Sequence, residues 1–183
     1  MAECPVCDPY IAEDVQAALA RIGPKNPLLL IALACDFAAR VLDQTSDPAQ
    51  AREWLQRVRN YESSREAVEE EAVAAWDICF SVDEAAGARR AAVQALAEAI
   101  DTTNAVALAE KRSLLGSSQA EANALGWAVN AATHAADGAA VASLDPNGER
   151  AWQMERIRAL ACICAVPQID LPGARSRKSL LAR

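Results

Sequence analysis

Aromatic residues are scarce in this chain of 183 residues, which has four Trp, two Tyr and two Phe. The core must therefore be built mainly from Leu, Ile, Val and Ala, with each Trp as a large anchor. Histidine is scarcer still, because His134 is the only one. A single histidine excludes a two-histidine metal site and argues against a ferritin-like oxidase. We expect His134 to be a hydrogen-bonded packing residue.

Long apolar runs and catalytic motifs are missing as well. The longest apolar run, residues 27–35, is too short to span a bilayer, so no membrane segment is expected. The first ten residues carry an acid where a signal peptide needs a positive charge, which predicts a cytoplasmic protein whose six cysteines are reduced thiols. Glycine-rich phosphate loops and nucleophile elbows are absent, and no residues assemble an active site. The sequence therefore predicts a protein that is not an enzyme and needs no cofactor.

Alanine is what the chain has in abundance, at 43 of 183 positions. It has the highest intrinsic helix propensity, and its small side chain lets neighbouring helices approach closely. These tracts predict an all-α fold, a single compact bundle of about seven closely packed helices. We expect one helical domain over residues 1–166 and a flexible basic tail over residues 167–183.

Charge is distributed unevenly along the chain. Residues 171–183 carry four basic residues and no acid, so residues 1–170 have a formal charge of −11, four units more negative than the −7 of the whole chain. An acidic body repels nucleic acid and favours basic partners. The tail is too sparsely basic to predict a nucleic-acid or lipid-binding patch.

Start and stop signals divide the chain into helices. Pairs of Asp or Asn followed by Pro predict helix starts near residues 8, 26 and 47. Ser-x-x-Glu capping boxes at Ser63, Ser81 and Ser118 predict three more. The Ser81 helix is expected to end near Ile100, with a separate helical piece over residues 101–115. Residues 145–148 are predicted to form a turn before a last helix that begins at residue 149.

Two glycines lie inside the predicted alanine-rich helix that begins at Ser118. Glycine costs about 1 kcal/mol against alanine in a helix interior, so some compensation is expected. For Gly126 and Gly138 alike, we predict close contact with a neighbouring helix.

Cys4-Pro5-Val6-Cys7 is the sharpest local motif. A CxxC at a helix N-terminus can gain thiolate character from the helix dipole, which would suit redox chemistry or half of a zinc site. The βαβ pattern of thioredoxin-like proteins is missing, and Cys162 and Cys164 point to different faces of a helix. Buried or incidental thiols are therefore the expectation, and a role for Cys4 and Cys7 in redox or zinc binding is the alternative.

The densest acidic stretch surrounds Glu69, Glu70 and Glu71, and Asp77 follows six residues after Glu71. These four residues are the predicted partner-binding surface. The simpler alternative is a solvated helix face near a positively polarised N-terminus.

Two stretches together resemble a known family. The first is an Ala-Cys-Asp helix over residues 32–42 that leads into residues 47–54, and the second is the alanine tract 124–142 followed by residues 149–157. In this order they resemble the alanine-rich, all-helical immunity proteins of bacterial polymorphic-toxin systems, which close on a Trp-Gln-x-x-Arg helix. Trp152, Gln153 and Arg156 match that closing helix, and on a helix only Trp152 and Arg156 share a face. The likeness covers about residues 27–160.

The resemblance implies a cytoplasmic bacterial protein that binds and neutralises a cognate toxin protein. Charge complementarity would raise the association rate and exclude wrong partners. The resemblance leaves open whether the matched residues of the closing helix are structural or functional. A scaffold or homo-oligomeric helical module is the remaining hypothesis, because small residues on several helix faces also suit self-association.

Overall fold

The structure is a computed structural model that describes residues 14–61, 68–83 and 86–164, with side chains up to residue 161. These residues form seven α-helices and no strand, which confirms the predicted all-α bundle. The helices are α1 (Val15–Ile22), α2 (Pro27–Ala39), α3 (Pro48–Arg59), α4 (Glu69–Ser81), α5 (Gly87–Leu114), α6 (Ser118–Ala142) and α7 (Pro146–Cys164). A 3₁₀ turn, Leu42–Gln44, follows α2. The start of the predicted domain, its boundary near residue 166 and the predicted tail lie outside the described residues.

Capping by Asp and Asn starts four of these helices. Asp14, Asn26 and Asp47 each accept a hydrogen bond from a backbone N–H in the first turn, and proline follows the last two caps. Asp145 does the same for α7, because the N–H of Gly148 donates to its Oδ1 at 3.0 Å. The prediction that residues 145–148 form a turn before a helix beginning at residue 149 is therefore wrong, since α7 already begins at Pro146 with Asp145 as its cap.

The two longest helices, α5 and α6, form an antiparallel hairpin at the centre of the bundle. Gly116, with φ of 71°, ends α5, and the N–H of Ser117 bonds back to the carbonyl of Arg112. This is the Schellman arrangement, in which glycine adopts the left-handed conformation without strain. Helix α2 packs against both arms of the hairpin, α4 packs on α5, and α1 and α7 pack on α6.

Alanine lines the interface between α5 and α6. The buried alanines of the two helices include Ala91, Ala92, Ala95, Ala99, Ala128, Ala132, Ala135, Ala136, Ala139 and Ala142. Gly138 lies at the closest approach, because a Cβ built there would be 2.8 Å from the carbonyl oxygen of Ala91. The predicted close contact is confirmed for Gly138. It is wrong for Gly126, where a Cβ would meet no atom within 4 Å.

Three predicted helix boundaries are also wrong. Helix α5 runs without a break through Ile100, because the hydroxyls of Thr102 and Thr103 donate to carbonyls of the preceding turn and so stay compatible with the helix.

The other two boundaries are predicted helix starts at serine residues. Ser81 is the last residue of α4, and its hydroxyl donates to the carbonyl of Ile78. At the start of α6 the capping position is Ser117, one residue earlier than predicted, and its side chain makes no capping hydrogen bond. The predicted box at Ser63 lies outside the described residues.

Candidate functional site

A groove runs between α5 and α6, next to the first turn of α4, and we call it the acidic groove. Its volume is about 470 Å³. Its lining residues are Glu69, Glu98, Asp101, Asn104, Ala105, Leu108, Trp127, Asn130, Ala131 and His134. Those from α6 recur at positions 127, 130, 131 and 134, the spacing of residues on one face of a helix.

The chemical groups of the groove combine carboxylates with an exposed aromatic ring. Trp127 is 59% exposed although it is a large apolar residue. Three of the lining residues are acids, and none of the described lining residues is a lysine or an arginine. The groove therefore offers negative charge, an indole face and two side-chain amides on rigid helices.

Hydrogen bonds fix two of the three carboxylates. The indole Nε1–H of Trp76 on α4 donates to Oδ2 of Asp101 at 2.7 Å. Nδ1 of His134 lies 3.2 Å from Oε1 of Glu98 across the helix pair. The groove thus presents acidic groups whose positions are set before any ligand arrives.

His134 departs from its predicted role in one respect. It is hydrogen-bonded as expected, but its side chain is 56% exposed and borders the acidic groove, so it is not a packing residue. The Glu98 side chain beneath it is only 11% exposed. Burial raises the pKa of Glu98, an effect that the nearby His134 opposes and the Asp101 charge reinforces.

The Glu98→Gln variant is expected to unfold at a higher denaturant concentration than the wild type near neutral pH. Because the pKa of Glu98 is raised on folding, its contribution to stability is fully present below the ordinary glutamate pKa and is lost as pH rises through the raised pKa. The advantage of glutamine should therefore shrink as the pH falls to about 4. Urea unfolding of both proteins at the two pH values measures this.

A matched control for that experiment is Glu70→Gln, which removes an exposed carboxylate from α4 outside the groove. An advantage for Glu98→Gln that stays constant or widens as the pH falls would contradict the assignment of Glu98 as a carboxylate penalised by burial.

The structure separates the four acids of the predicted partner-binding surface. Glu69 lines the acidic groove, whereas Glu70 and Asp77 are exposed on α4 away from its lining. Glu71 is buried in an ion pair with Arg57 of α3. Its side chain therefore faces away from that of Glu69, because a turn of about 200° separates the two residues on the helix.

The sequence prediction missed Glu98, Asp101 and Trp127. Each of them lies on the same helix face as another groove residue, at a spacing of three, four or seven. That periodicity is a signal present in the sequence, but only the pairing of α5 with α6 shows that the two polar stripes face one groove.

The residues of the Trp-Gln-x-x-Arg segment join α7 to its neighbours. The Nε–H of Arg156 donates to Asp36 of α2 at 2.7 Å. The Trp152 ring packs edge-on against Phe37 of α2, and Arg40, the residue after α2, stacks over the ring at 4.1 Å. The expectation that Trp152 and Arg156 share a face is confirmed, since both contact α2. Gln153 is fully buried and donates to the carbonyl of Ala136 in α6 at 2.9 Å. These contacts hold the helices together.

Four of the six cysteines lie wholly or partly outside the described residues. Cys4 and Cys7 lie outside the described residues, as do the side chains of Cys162 and Cys164. Cys35 and Cys79 are free and buried, and burial raises the pKa of Cys35 to about 12, so it behaves as a packing residue. Within the described ranges, no three His, Cys, Asp or Glu residues are grouped as a metal site would require.

The described residues thus form an all-α bundle with a groove that combines acids, amides and an exposed indole. In the described ranges, no helix has the length and apolar character needed to cross a membrane. Comparison with known protein families, with curated proteins and with solved structures finds no match for this chain.

Proposed function

We propose that this chain is a non-enzymatic immunity-type protein that binds a cognate bacterial toxin domain in the cytoplasm and neutralises it. The acidic groove is the surface that makes the contact. It supports the proposal because it places Trp127 and the carboxylates of Glu98 and Asp101 on the closely packed α5–α6 hairpin, with Glu69 of α4 beside them. Tryptophan is enriched among the residues that dominate protein–protein binding energy, and surrounding charge selects a complementary partner.

Neutralisation would follow from occlusion. A toxin that acts on nucleic acid needs a basic surface, and a carboxylate-lined groove on a chain with an acidic body is attracted to such a surface. The rigid α5–α6 hairpin would cover that surface without a large conformational change. The resemblance of the α2 and α7 segments to immunity proteins points in the same direction.

The test is a pull-down from the native host with the tagged wild type and with the double variant Asp101→Asn, Trp127→Ala. We expect the wild type to retain one stoichiometric partner that is toxic when expressed alone and harmless when co-expressed with this chain. The double variant should lose both capture and protection. Glu70→Gln with Asp77→Asn is the control, because it removes two exposed carboxylates of α4 that lie outside the groove.

Capture of a partner without toxicity, or protection that survives the double variant, would count against the proposal. If the wild type retains only further copies of itself, the self-associating helical module becomes the better account. That second candidate is favoured by Leu114 and Leu115, which are 89% and 69% exposed at the tip of the hairpin. The mass of the purified chain in solution separates the two.

A further inference from the structure

The acidic groove has a shape and chemistry that suit one kind of side chain. From its charge, its indole face and its size, we infer that it accepts an arginine side chain of the partner. This inference rests on the proposed function, because it names the chemistry that the groove recognises in the toxin domain.

The charge of the groove favours a cationic ligand. Glu69, Glu98 and Asp101 line it, and no described lining residue carries a compensating Lys or Arg. Trp76 engages Oδ2 of Asp101 and His134 engages Oε1 of Glu98. These hydrogen bonds of the described residues engage only Oδ2 of Asp101 and Oε1 of Glu98, so Oδ1 of Asp101 and Oε2 of Glu98 are the acceptors left for a ligand. A guanidinium, with five N–H donors in a fixed plane, can donate to more than one of them at once.

The indole of Trp127 distinguishes arginine from lysine. A planar guanidinium both stacks on an aromatic face and donates in its own plane, whereas an ammonium is a compact and strongly hydrated point charge. The walls also suit the apolar stem of an arginine, since Ala105, Leu108 and Ala131 line the groove together with the polar groups. Asn104 and Asn130 add amide groups that can accept the remaining N–H donors.

Three short peptides test this inference, identical except for a central arginine, lysine or citrulline. Citrulline keeps the shape of arginine and removes its charge. The readout is the NMR signal of the Trp127 indole N–H, which is assigned by its loss in Trp127→Phe among the four tryptophans of the chain. We expect the arginine peptide to bind about tenfold more tightly than the citrulline peptide, with lysine between them.

Variants of the groove locate the binding. Asp101→Asn keeps an acceptor for Trp76 while removing the charge, and it should weaken the arginine peptide about tenfold. Trp127→Ala should also weaken binding of the arginine peptide about tenfold, with calorimetry as the measurement. Because Trp127 is exposed, it can be replaced without disturbing the core. Asp77→Asn, outside the groove, should leave the affinity unchanged.

Equal binding of the arginine and citrulline peptides, or unchanged affinity in Asp101→Asn, would overturn the inference. The two proposals fail separately. A toxin domain that binds the groove without an arginine preference contradicts only the inference. Arginine-selective binding in a chain that neutralises no toxin contradicts only the proposed function.

Discussion

Replacing Gly138 by valine is expected to destabilise the bundle by about 4 kcal/mol or more. A Cβ at this position would lie 2.8 Å from the carbonyl oxygen of Ala91 and 3.1 Å from the Cβ of Ala95. The first of these atoms belongs to the backbone of α5 and cannot move away as a flexible side chain would. The two longest helices would have to separate along an interface that also carries their buried alanines. Urea unfolding followed by circular dichroism measures the loss.

The smaller substitution Gly138→Ala should still destabilise, by roughly 1–3 kcal/mol, although alanine recovers about 1 kcal/mol of helix propensity. The matched control is Gly126→Ala in the same helix. Nothing lies within 4 Å of a Cβ at residue 126, so this substitution should stabilise the protein by about 1 kcal/mol. Effects of the same sign at both glycines would contradict the close packing of α5 on α6.

The same two glycines show how far the sequence predicts this fold. Alanine content and Asx-Pro pairs predict an all-α bundle and place the starts of α2 and α3, because capping is a local interaction. Which glycine meets another helix depends on the angular position of a neighbour, and that is set by tertiary packing. The expectation was therefore confirmed at Gly138 and wrong at Gly126.

The prediction of the site was limited for a related reason. Glu69 and Glu71 belong to one acidic run, yet one lines the groove and the other is buried against Arg57. Helical periodicity could have separated them, since two residues correspond to a rotation of about 200°. Asp101 and Trp127 come together only because a tight turn folds α6 back along α5. The charge and composition of the chain carry no information about that register.

Loss of the Asp36 carboxylate is expected to have the second large effect, about 2–3 kcal/mol of destabilisation in Asp36→Ala. The two oxygens of Asp36 serve different helices. Oδ1 accepts from Arg59 of α3 at 3.0 Å, and Oδ2 accepts from Arg156 of α7 at 2.7 Å. The Asp36 side chain is only 18% exposed, so removing it leaves two guanidinium groups facing each other across a partly desolvated cleft.

A second ion pair of the same residue types provides the control. Asp43 pairs with Arg52, but their side chains are 83% and 57% exposed. Solvent screens this pair, so Asp43→Ala should change stability by no more than about 0.5 kcal/mol. Urea unfolding of the two alanine variants beside the wild type measures the contrast, and equal effects would contradict a structural role for Asp36.

Asp36→Asn separates charge from hydrogen bonding at this position. The amide keeps one acceptor oxygen for Arg59 or Arg156 but loses the charge that offsets both, so its stability should fall between those of the wild type and Asp36→Ala. Added salt should narrow the gap between Asp36→Asn and the wild type only slightly, because the pair is partly buried. An effect of this size would assign Asp36 and Arg156 a structural role, namely joining α2 to α7. In the proposed function, the surface that recognises the partner would then be the acidic groove, whose residues lie on α4, α5 and α6.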